Sequence, residues 1–206
     1  MCRYYVKCKE QSSFCVQYIK SSSVQMLIGH PVRDIPIEAS FGDDTVSRVS
    51  FPSDCFLSPD CELLIIYFYP GDFTSICATE VLAFDEKLPE FFELGASIVG
   101  CSINGPYAHN AWKNRPKTAG GLGTHIKHPI LADVNGELSR IFDVLIPKRH
   151  VASRGLFILD RTGTVLFESR HDTKTARNVS QIVEIVRDIR KLNRNSNDKR
   201  DRVDSI

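Results

Sequence analysis

Seven consecutive apolar residues, Leu63 to Tyr69, constrain the fold of this chain more than any other feature. The run is rich in β-branched and aromatic side chains and stops at Pro70-Gly71. A short run of this kind, ended by turn residues, is typical of a strand buried on both faces of a parallel sheet. Apolar residues then return at spacings of three and four, which places them on one face of a helix. They are Cys77, Val81, Phe84, Leu88 and Phe91.

This order of strand, turn and helix places Cys77 in or near the first turn of the helix, with Asp72 and Thr74 as plausible capping residues. The first turn presents unpaired backbone N–H groups and the positive end of the helix dipole, and both stabilise an anion. A cysteine there is favoured as a reactive thiolate. The same spacing also fits a small buried hydrophobe, the commonest fate of a free cysteine. A reactive thiolate needs donors for the transition state, so that interpretation predicts a distant cationic partner.

The composition excludes several classes of function. The 206 residues suffice for one domain with tails, and 42% of them are hydrophobic. A formal net charge of +1 gives no electrostatic basis for binding nucleic acid or an acidic membrane surface. No apolar run approaches the roughly 18 residues of a membrane-spanning helix. We therefore expect a globular protein with neither nucleic acid nor membrane as a partner.

The seven cysteines form no recognisable metal or dithiol motif. No two are separated by two residues, so the Cys-x-x-Cys of zinc ribbons and thioredoxin-type sites is missing. His125 and His128 lack a carboxylate or cysteine in register and are expected at the surface, so we predict no metal site. An odd number of cysteines in a chain of this length favours reduced thiols in a reducing compartment, here the cytoplasm. The cysteines are Cys2, Cys8, Cys15, Cys55, Cys61, Cys77 and Cys101.

Three regions are expected along the chain. Residues 1–25 form an N-terminal extension that is either disordered or a weak organelle-targeting segment, since basic residues outnumber its one acid. Residues 26–192 form the domain, and Met26 is a candidate start site. Residues 193–206 are dominated by charge and asparagine, so we predict a disordered tail.

The order of elements predicts an α/β fold. Residues 28–60 suggest an entry segment with a small hairpin, and Pro89 should kink the helix that follows the central strand. Further strands are predicted at 97–103, 129–133, 155–160 and 164–169, and helices at 107–113, 135–144 and 176–192. Cys101, within a strand, is expected to be a core residue. Right-handed crossovers on a mixed sheet with an antiparallel hairpin give a three-layer sandwich, with ligands bound at the carboxyl ends of the strands, where Cys77 lies.

The segment Tyr69 to Glu80 resembles the peroxidatic-cysteine motif of the peroxiredoxins, Pro-x-x-x-Thr-x-x-Cys, with Pro70, Thr74 and Cys77 at the three fixed positions. The similarity covers most of the chain, from about Ile28 to Leu192, and is greatest with the typical two-cysteine, or alkyl hydroperoxide reductase C, branch. The resemblance implies a thioredoxin-like fold with insertions. Further matching segments are Ile28–Pro31, His109–Trp112, Gly120–Gly123 and Arg154–Asp160.

The resemblance also implies the site. Cys77 would be the peroxidatic cysteine, Arg154 would meet its thiolate and the peroxide oxygens, Thr74 would give its hydroxyl to those oxygens, and Pro70 would shield the thiolate from water. Glu80 would support the arginine. Without the resemblance, Arg154 could equally be an exposed residue at a strand end, and Glu80 a solvated helix charge. No metal or organic cofactor is called for.

The chain departs from the two-cysteine pattern because no cysteine follows Cys101. We therefore expect a thiol-dependent peroxidase with a one-cysteine cycle, in which an external thiol, a thioredoxin-like protein or a small thiol, reduces Cys77. Resolution by Cys2, Cys8 or Cys15 of a partner subunit is the alternative. The resemblance implies a homodimer or a ring of dimers. A non-enzymatic redox scaffold or chaperone-like oligomer remains the other class of function.

Overall fold

The computed structural model of the protein describes residues 3–5, 26–123 and 126–203. Ten strands and five α-helices follow one another along this part of the chain. The strands are β1 (Arg3–Tyr5), β2 (Ile35–Ser40), β3 (Val46–Phe51), β4 (Leu63–Phe68), β5 (Ala96–Ser102), β6 (Ile130–Ala132), β7 (Leu145–Ile146), β8 (Val151–Ala152), β9 (Arg154–Asp160) and β10 (Val165–His171). The helices are α1 (Ser75–Glu86), α2 (Leu88–Glu93), α3 (Pro106–Asn114), α4 (Glu137–Ile141) and α5 (Val179–Val203).

Eight of the strands form one mixed sheet in the order β1-β10-β9-β4-β5-β6-β2-β3. The three central strands β4, β5 and β6 are parallel, as expected for strands joined by helical crossovers. Strand β9 pairs antiparallel with β4 on its other side, and β10 pairs antiparallel with β9. The remaining two strands, β7 and β8, form a separate antiparallel pair. The predicted mixed sheet is confirmed.

The core lies on both faces of this sheet. Every residue of β4 is buried, and its alternate side chains point to opposite faces. Leu63, Ile65 and Tyr67 pack in a cluster with side chains of α1, α2 and α5. The intervening side chains pack in a second cluster that contains Leu138 of α4 and Phe142, the residue after that helix. Two helical layers around one sheet confirm the three-layer α/β sandwich.

Three details differ from the sequence prediction. The hairpin β2–β3 joins the main sheet by pairing β2 with β6, which covers backbone groups of β6 that would otherwise be an open edge. The kink expected at Pro89 is a break at Lys87, which separates α1 from α2. Helix α5 begins at Val179 and extends to Val203, into the region predicted to be disordered. No proline or glycine interrupts residues 179–203, so the charged sequence can continue the helix.

The N-terminal extension is described only at residues 3–5, where β1 pairs antiparallel with β10. The rest of the predicted extension, including Cys2, Cys8 and Cys15, lies outside the described residues, as does the end of the tail at 204–206. In the described part of the chain no helix is long and apolar enough to cross a bilayer.

Candidate active site

Cys77 is the third residue of α1, directly after the loop that leaves the carboxyl end of β4. Its side chain is completely buried. Cys77 belongs to the same core cluster as apolar residues of β4 and α1. The predicted position of Cys77 in the first helical turn is confirmed.

The prediction that the side chains of Asp72 and Thr74 cap α1 is wrong, although Thr74 does occupy the N-cap position. Its hydroxyl donates to the carbonyl oxygen of Gly71 at 3.1 Å and accepts nothing from the helix. The carboxylate of Asp72 is buried and accepts hydrogen bonds from Tyr69 and His109. None of the described side chains therefore caps α1, which leaves its first-turn N–H groups available to an anion.

Arg154, the first residue of β9, brings a cation to the sulfur. Its Nη2 lies 3.5 Å from Cys77 Sγ, and the side chain is almost completely buried. The guanidinium is also oriented by the carbonyl oxygen of Thr173, which accepts from Nε at 3.3 Å and from Nη2 at 3.2 Å. An exposed arginine at a strand end is thus excluded, and Arg154 is the distant cationic partner that the reactive interpretation of Cys77 requires.

Glu80, one helical turn after Cys77, balances the charge of Arg154. Its Oε2 forms an ion pair with Nη1 of Arg154, and its Oε1 accepts from the backbone N–H of Arg177 at 2.7 Å and from Nε at 2.8 Å. Burial alone would raise the pKa of this carboxyl, but the charge and hydrogen bonds of Arg177, together with Arg154, outweigh burial and hold the pKa below its ordinary value of 4.5. Glu80 is therefore an ionised buried residue and not a solvated helix charge.

Sequence reasoning missed Arg177, the second guanidinium of the site. Its side chain is nearly fully buried and lies over the ring of Tyr67, with 5.4 Å from Cζ to the ring centroid, and over Phe84 at 5.8 Å. Arg177 stands two residues before α5, where the helix dipole disfavours a cation. A cation in this unfavourable position is the one sequence feature that indicates a partner for Arg177 outside its own helix.

The three charged side chains around Cys77 do not cancel one another. Arg154 and Arg177 carry two positive charges, and Glu80 carries one negative charge. Buried charges are costly unless they are paired, so the site favours one further anion. The sulfur of Cys77, 3.5 Å from Nη2 of Arg154, is the atom placed to carry such a charge. The arrangement can thus hold an ionised sulfur and stabilise negative charge that develops next to it.

The other described cysteines are in different surroundings. Cys101 is completely buried in β5, and burial, with a contribution from Asp133, raises the pKa of its thiol well above the ordinary value of 9.0. Burial and the neighbouring charges of Asp54 and Asp34 raise the pKa of Cys55 to about 12. The expectation that Cys101 is a core residue is confirmed.

His128 is buried, which contradicts its expected place at the surface. Its Nε2 lies 2.7 Å from the hydroxyl of Tyr67, and its Nδ1 lies 3.1 Å from Oδ1 of Asp85 on α1. The ring fills space between the sheet and the helix, which spacing along the chain does not show. His125 lies outside the described residues. In the described part of the chain no group of histidine, cysteine and acidic side chains could hold a metal ion.

The structure brings together three of the predicted site residues, Cys77, Glu80 and Arg154. It places the other two, Pro70 and Thr74, on the loop that leads into α1, with Pro70 half-buried and Thr74 exposed. Both therefore lie nearer the surface than Cys77, which is completely buried.

The chain is similar in sequence to known proteins. Residues 53–167 match the AhpC/TSA family. The mitochondrial thioredoxin-dependent peroxide reductase of Mus musculus is 38% identical over 124 residues, which are 60% of this chain and 48% of that protein. The chloroplastic 2-Cys peroxiredoxin of Hordeum vulgare is 34% identical over 155 residues, which are 75% of this chain and 71% of that protein. The chain thus spans about half the length of the mitochondrial relative.

Solved structures show the same fold. The reduced 2-Cys peroxiredoxin of Plasmodium vivax superimposes with a TM-score of 0.76 at 30% identity, covering 82% of this chain and 85% of that one. The AhpC protein of Enterococcus faecalis gives a TM-score of 0.73 at 29% identity, covering 82% of this chain and 96% of that one. The predicted thioredoxin-like fold is confirmed.

Proposed function

Because the chain belongs to the AhpC/TSA family, we propose that it is a thiol-dependent peroxidase that reduces hydrogen peroxide and organic hydroperoxides through Cys77. The observation that carries the proposal is the contact of 3.5 Å between Arg154 Nη2 and Cys77 Sγ. Glu80 holds the guanidinium of Arg154 in position, since its carboxylate is ion-paired with both Arg154 and Arg177. A packing cysteine has no need of such a cation.

In the oxidative step, the Cys77 thiolate attacks one peroxide oxygen. The S–O bond forms as the O–O bond breaks, and its electron pair moves to the distal oxygen, which takes a proton and leaves as water or an alcohol. Sulfur is oxidised to sulfenic acid and the peroxide is reduced. Arg154 stabilises the charge that moves onto the leaving oxygen. In the same proposal the hydroxyl of Thr74 exchanges its hydrogen bond to the carbonyl oxygen of Gly71 for one to the peroxide, and Pro70 keeps water from the thiolate.

In the reductive step, an external thiol attacks the sulfenic acid and releases water, which leaves a mixed disulfide. A second thiol reduces this disulfide and restores Cys77. Since the murine relative is named a thioredoxin-dependent enzyme, a thioredoxin-like protein is the first candidate reductant and a small thiol is the second.

The described cysteines support a one-cysteine cycle. Cys55 and Cys101 belong to the core cluster on the face of the sheet opposite Cys77. Cys61 precedes β4 whereas Cys77 follows it, so the length of a six-residue strand, about 20 Å, separates them. A disulfide needs Cα atoms within about 7 Å of each other. No described cysteine of the same chain can therefore resolve the sulfenic acid without unfolding of the sheet.

Resolution by Cys2, Cys8 or Cys15 of a partner subunit is the alternative, and intact mass distinguishes the two. One equivalent of hydrogen peroxide without added thiol should give a monomer heavier by one oxygen atom. A disulfide-linked dimer under non-reducing conditions would contradict the one-cysteine cycle.

We also propose that the protein assembles as a homodimer or as a ring of dimers. Analytical ultracentrifugation would measure the mass of the assembly, and a monomer would contradict this part of the proposal. The free thiols Cys55, Cys61, Cys77 and Cys101 fit a reducing cytoplasm. The named relatives are mitochondrial and chloroplastic, so detection of the native protein in an organelle fraction would contradict the cytoplasmic location.

The decisive experiment measures the oxidation of Cys77 directly. The reduced protein is mixed with hydrogen peroxide in a quenched-flow apparatus, and the sulfenic acid is trapped and counted by mass. The second-order rate constant should exceed that of free cysteine by several orders of magnitude. A rate constant equal to that of free cysteine would contradict the peroxidase. If Cys77→Ser then still suppressed the aggregation of a client protein, the chaperone-like class would replace it.

A further inference from the structure

The loop between β4 and α1 contains a strained residue. Phe73 has a φ of +57°, in the left-handed region that residues other than glycine rarely occupy. Its side chain is 43% exposed, and its ring lies against Trp112, with 6.3 Å between the centroids, and under Arg115, with 5.8 Å from Cζ to the ring centroid. The next residue is Thr74, the N-cap of α1. A buried polar contact would restrain the loop more firmly than this half-exposed ring does.

Asp72 makes that contact. Its side chain is fully buried, and each carboxylate oxygen accepts one hydrogen bond, Oδ1 from the hydroxyl of Tyr69 and Oδ2 from Nδ1 of His109, both at 2.8 Å. Its backbone N–H donates to Oδ1 of Asn104 at 3.0 Å. We call these four residues the Asp72 clamp. The clamp ties the loop to the end of β4, to α3 and to the connection between β5 and α3.

His109 has no other polar role in the described structure. An ionised carboxylate can only accept, so Nδ1 of His109 is the donor in its bond to Asp72. The other ring nitrogen, Nε2, is buried and has no hydrogen-bond partner among the described residues. Burial and the charge of Asp72 raise the pKa of Tyr69 well above its ordinary value of 10.0, so Tyr69 remains a neutral donor. The hydroxyl of Tyr69 and Nδ1 of His109 thus both donate to the carboxylate of Asp72.

We propose that Asp72 and His109 are positioning residues for the peroxidase, which hold Phe73 in its left-handed conformation and so fix Thr74 and the first turn of α1 before peroxide binds. The inference rests on the proposed function, because it assigns the clamp to the pocket in which that reaction occurs. Neither residue touches the sulfur. They act through Thr74 and the loop before α1, whose value to the reaction depends on their being in place before peroxide binds.

The test compares two amides at position 109. The side-chain nitrogen of asparagine can take the place of Nδ1, whereas that of glutamine corresponds to Nε2. His109→Asn therefore keeps the donor to Asp72, and His109→Gln removes it while retaining more of the ring volume. The rate constant for oxidation of Cys77 by hydrogen peroxide should fall about 10- to 100-fold in His109→Gln, as expected for a small misplacement of reacting groups, and most of it should be retained in His109→Asn. Alkylation of Cys77 by iodoacetamide, which needs no peroxide pocket, should stay the same in both.

If His109 serves packing alone, the rate constant for Cys77 oxidation should fall more in His109→Asn than in His109→Gln, because asparagine leaves the larger cavity. The inference is overturned if His109→Asn reacts as slowly as His109→Gln, or if oxidation and alkylation fall in parallel. Should His109→Gln fail to fold, Tyr69→Phe removes the other donor to Asp72 without a change of shape, and it too should slow oxidation selectively. An unchanged rate constant there overturns the inference. If the wild-type protein reacts no faster than free cysteine, the proposed function fails, which is a separate result.

Discussion

Cys77 and Cys101 are equally buried, yet their surroundings prepare them for opposite roles. Cys101 lies in the middle of the sheet, paired with Phe68 on one side and with Leu131 on the other, and its nearest charge of consequence is the negative one of Asp133. Cys77 lies on the other face of the sheet, 3.5 Å from the guanidinium of Arg154. Burial alone makes a thiol inert. In the proposed function, the sign of the neighbouring charge, and not exposure, distinguishes the reactive cysteine Cys77 from the packing cysteine Cys101.

A cation in the core has a cost that this protein offsets with Glu80. An unpaired buried guanidinium would be strongly destabilising, so the carboxylate is needed for the fold as well as for the site. The buried carboxylate near Cys101, Asp133, accepts hydrogen bonds from the backbone N–H groups of Leu138 and Ser139 instead. Substitutions in the two regions should therefore have very different consequences.

The largest effect is expected from replacing the two cysteines in turn. Cys77→Ser should lower the peroxidase rate by about three orders of magnitude or more, since the nucleophile is lost. Cys101→Ala should leave the rate unchanged. Peroxide consumption with a thioredoxin system as reductant measures both. Equal losses in the two variants would remove the distinction between the two thiols.

Removal of the cation should have the next largest effect. Arg154→Gln should lower the rate constant for oxidation of Cys77 by about 10²- to 10³-fold, the loss typical for one donor to a developing negative charge. Arg161→Gln is the matched control, because Arg161 follows the opposite end of β9 and donates to the carbonyl oxygen of Ser58 at 2.9 Å. Stopped-flow kinetics should show a normal rate constant for the control. A normal rate constant for Arg154→Gln would refute the assigned role of the guanidinium.

Glu80→Gln should affect stability. It leaves two buried guanidinium groups without their counter-charge, so the free energy of unfolding at pH 7 should fall by about 3–5 kcal/mol. Urea titration monitored by circular dichroism measures it. Glu62→Gln, at an exposed position, should change that free energy by less than about 0.5 kcal/mol.

The pH dependence of this difference has a definite sign. The pKa of Glu80 is lowered in the folded protein, so its stabilising effect is complete above the ordinary value of 4.5 and is lost as pH falls through the folded value. The gap in stability between wild type and Glu80→Gln should therefore be constant from neutral pH down to about 4.5 and shrink below it. A gap that widens in acid would contradict the ionised state of Glu80.

The smallest effect is expected from Cys101→Ala on stability, about 1 kcal/mol, as for the loss of one small buried group. The wild-type thiol of Cys101 should resist iodoacetamide in the native protein and react only after denaturation, because burial raises its pKa well above 9.0. Peptide mapping by mass spectrometry checks this. Labelling of Cys101 at the same rate as Cys77 in the native state would contradict the comparison.

Local patterns along the sequence predicted much of the fold and part of the site. The apolar run of β4, the helical spacing of α1 and the position of Cys77 all follow from residues near one another in the chain. Arg154 and Glu80 were named through the family motif, and their contact spans 74 positions of sequence. Spacing alone left both open as exposed charges.

What could not be predicted depends on contacts between distant segments. Arg177 reaches Glu80 across 97 positions, and His109 reaches Asp72 across 37, with no local pattern to indicate either contact. The caps assigned to Asp72 and Thr74 followed residue preference, but the carboxylate of Asp72 has stronger partners in Tyr69 and His109. A residue's preference for the N-cap position predicts its hydrogen bonds only where no stronger partner from another segment lies within reach.

These separations in sequence also govern when the protein acquires its chemistry during synthesis. A growing chain emerges with Cys77 long before Arg154 and Arg177 are translated, and the sulfur has no guanidinium beside it until both have folded back onto Glu80. An incomplete polypeptide thus lacks the guanidinium contact of Cys77. If the proposed function is right, peroxide reactivity arises only with β9 and the segment before α5, and a truncated product on the ribosome reacts with peroxide no faster than free cysteine does.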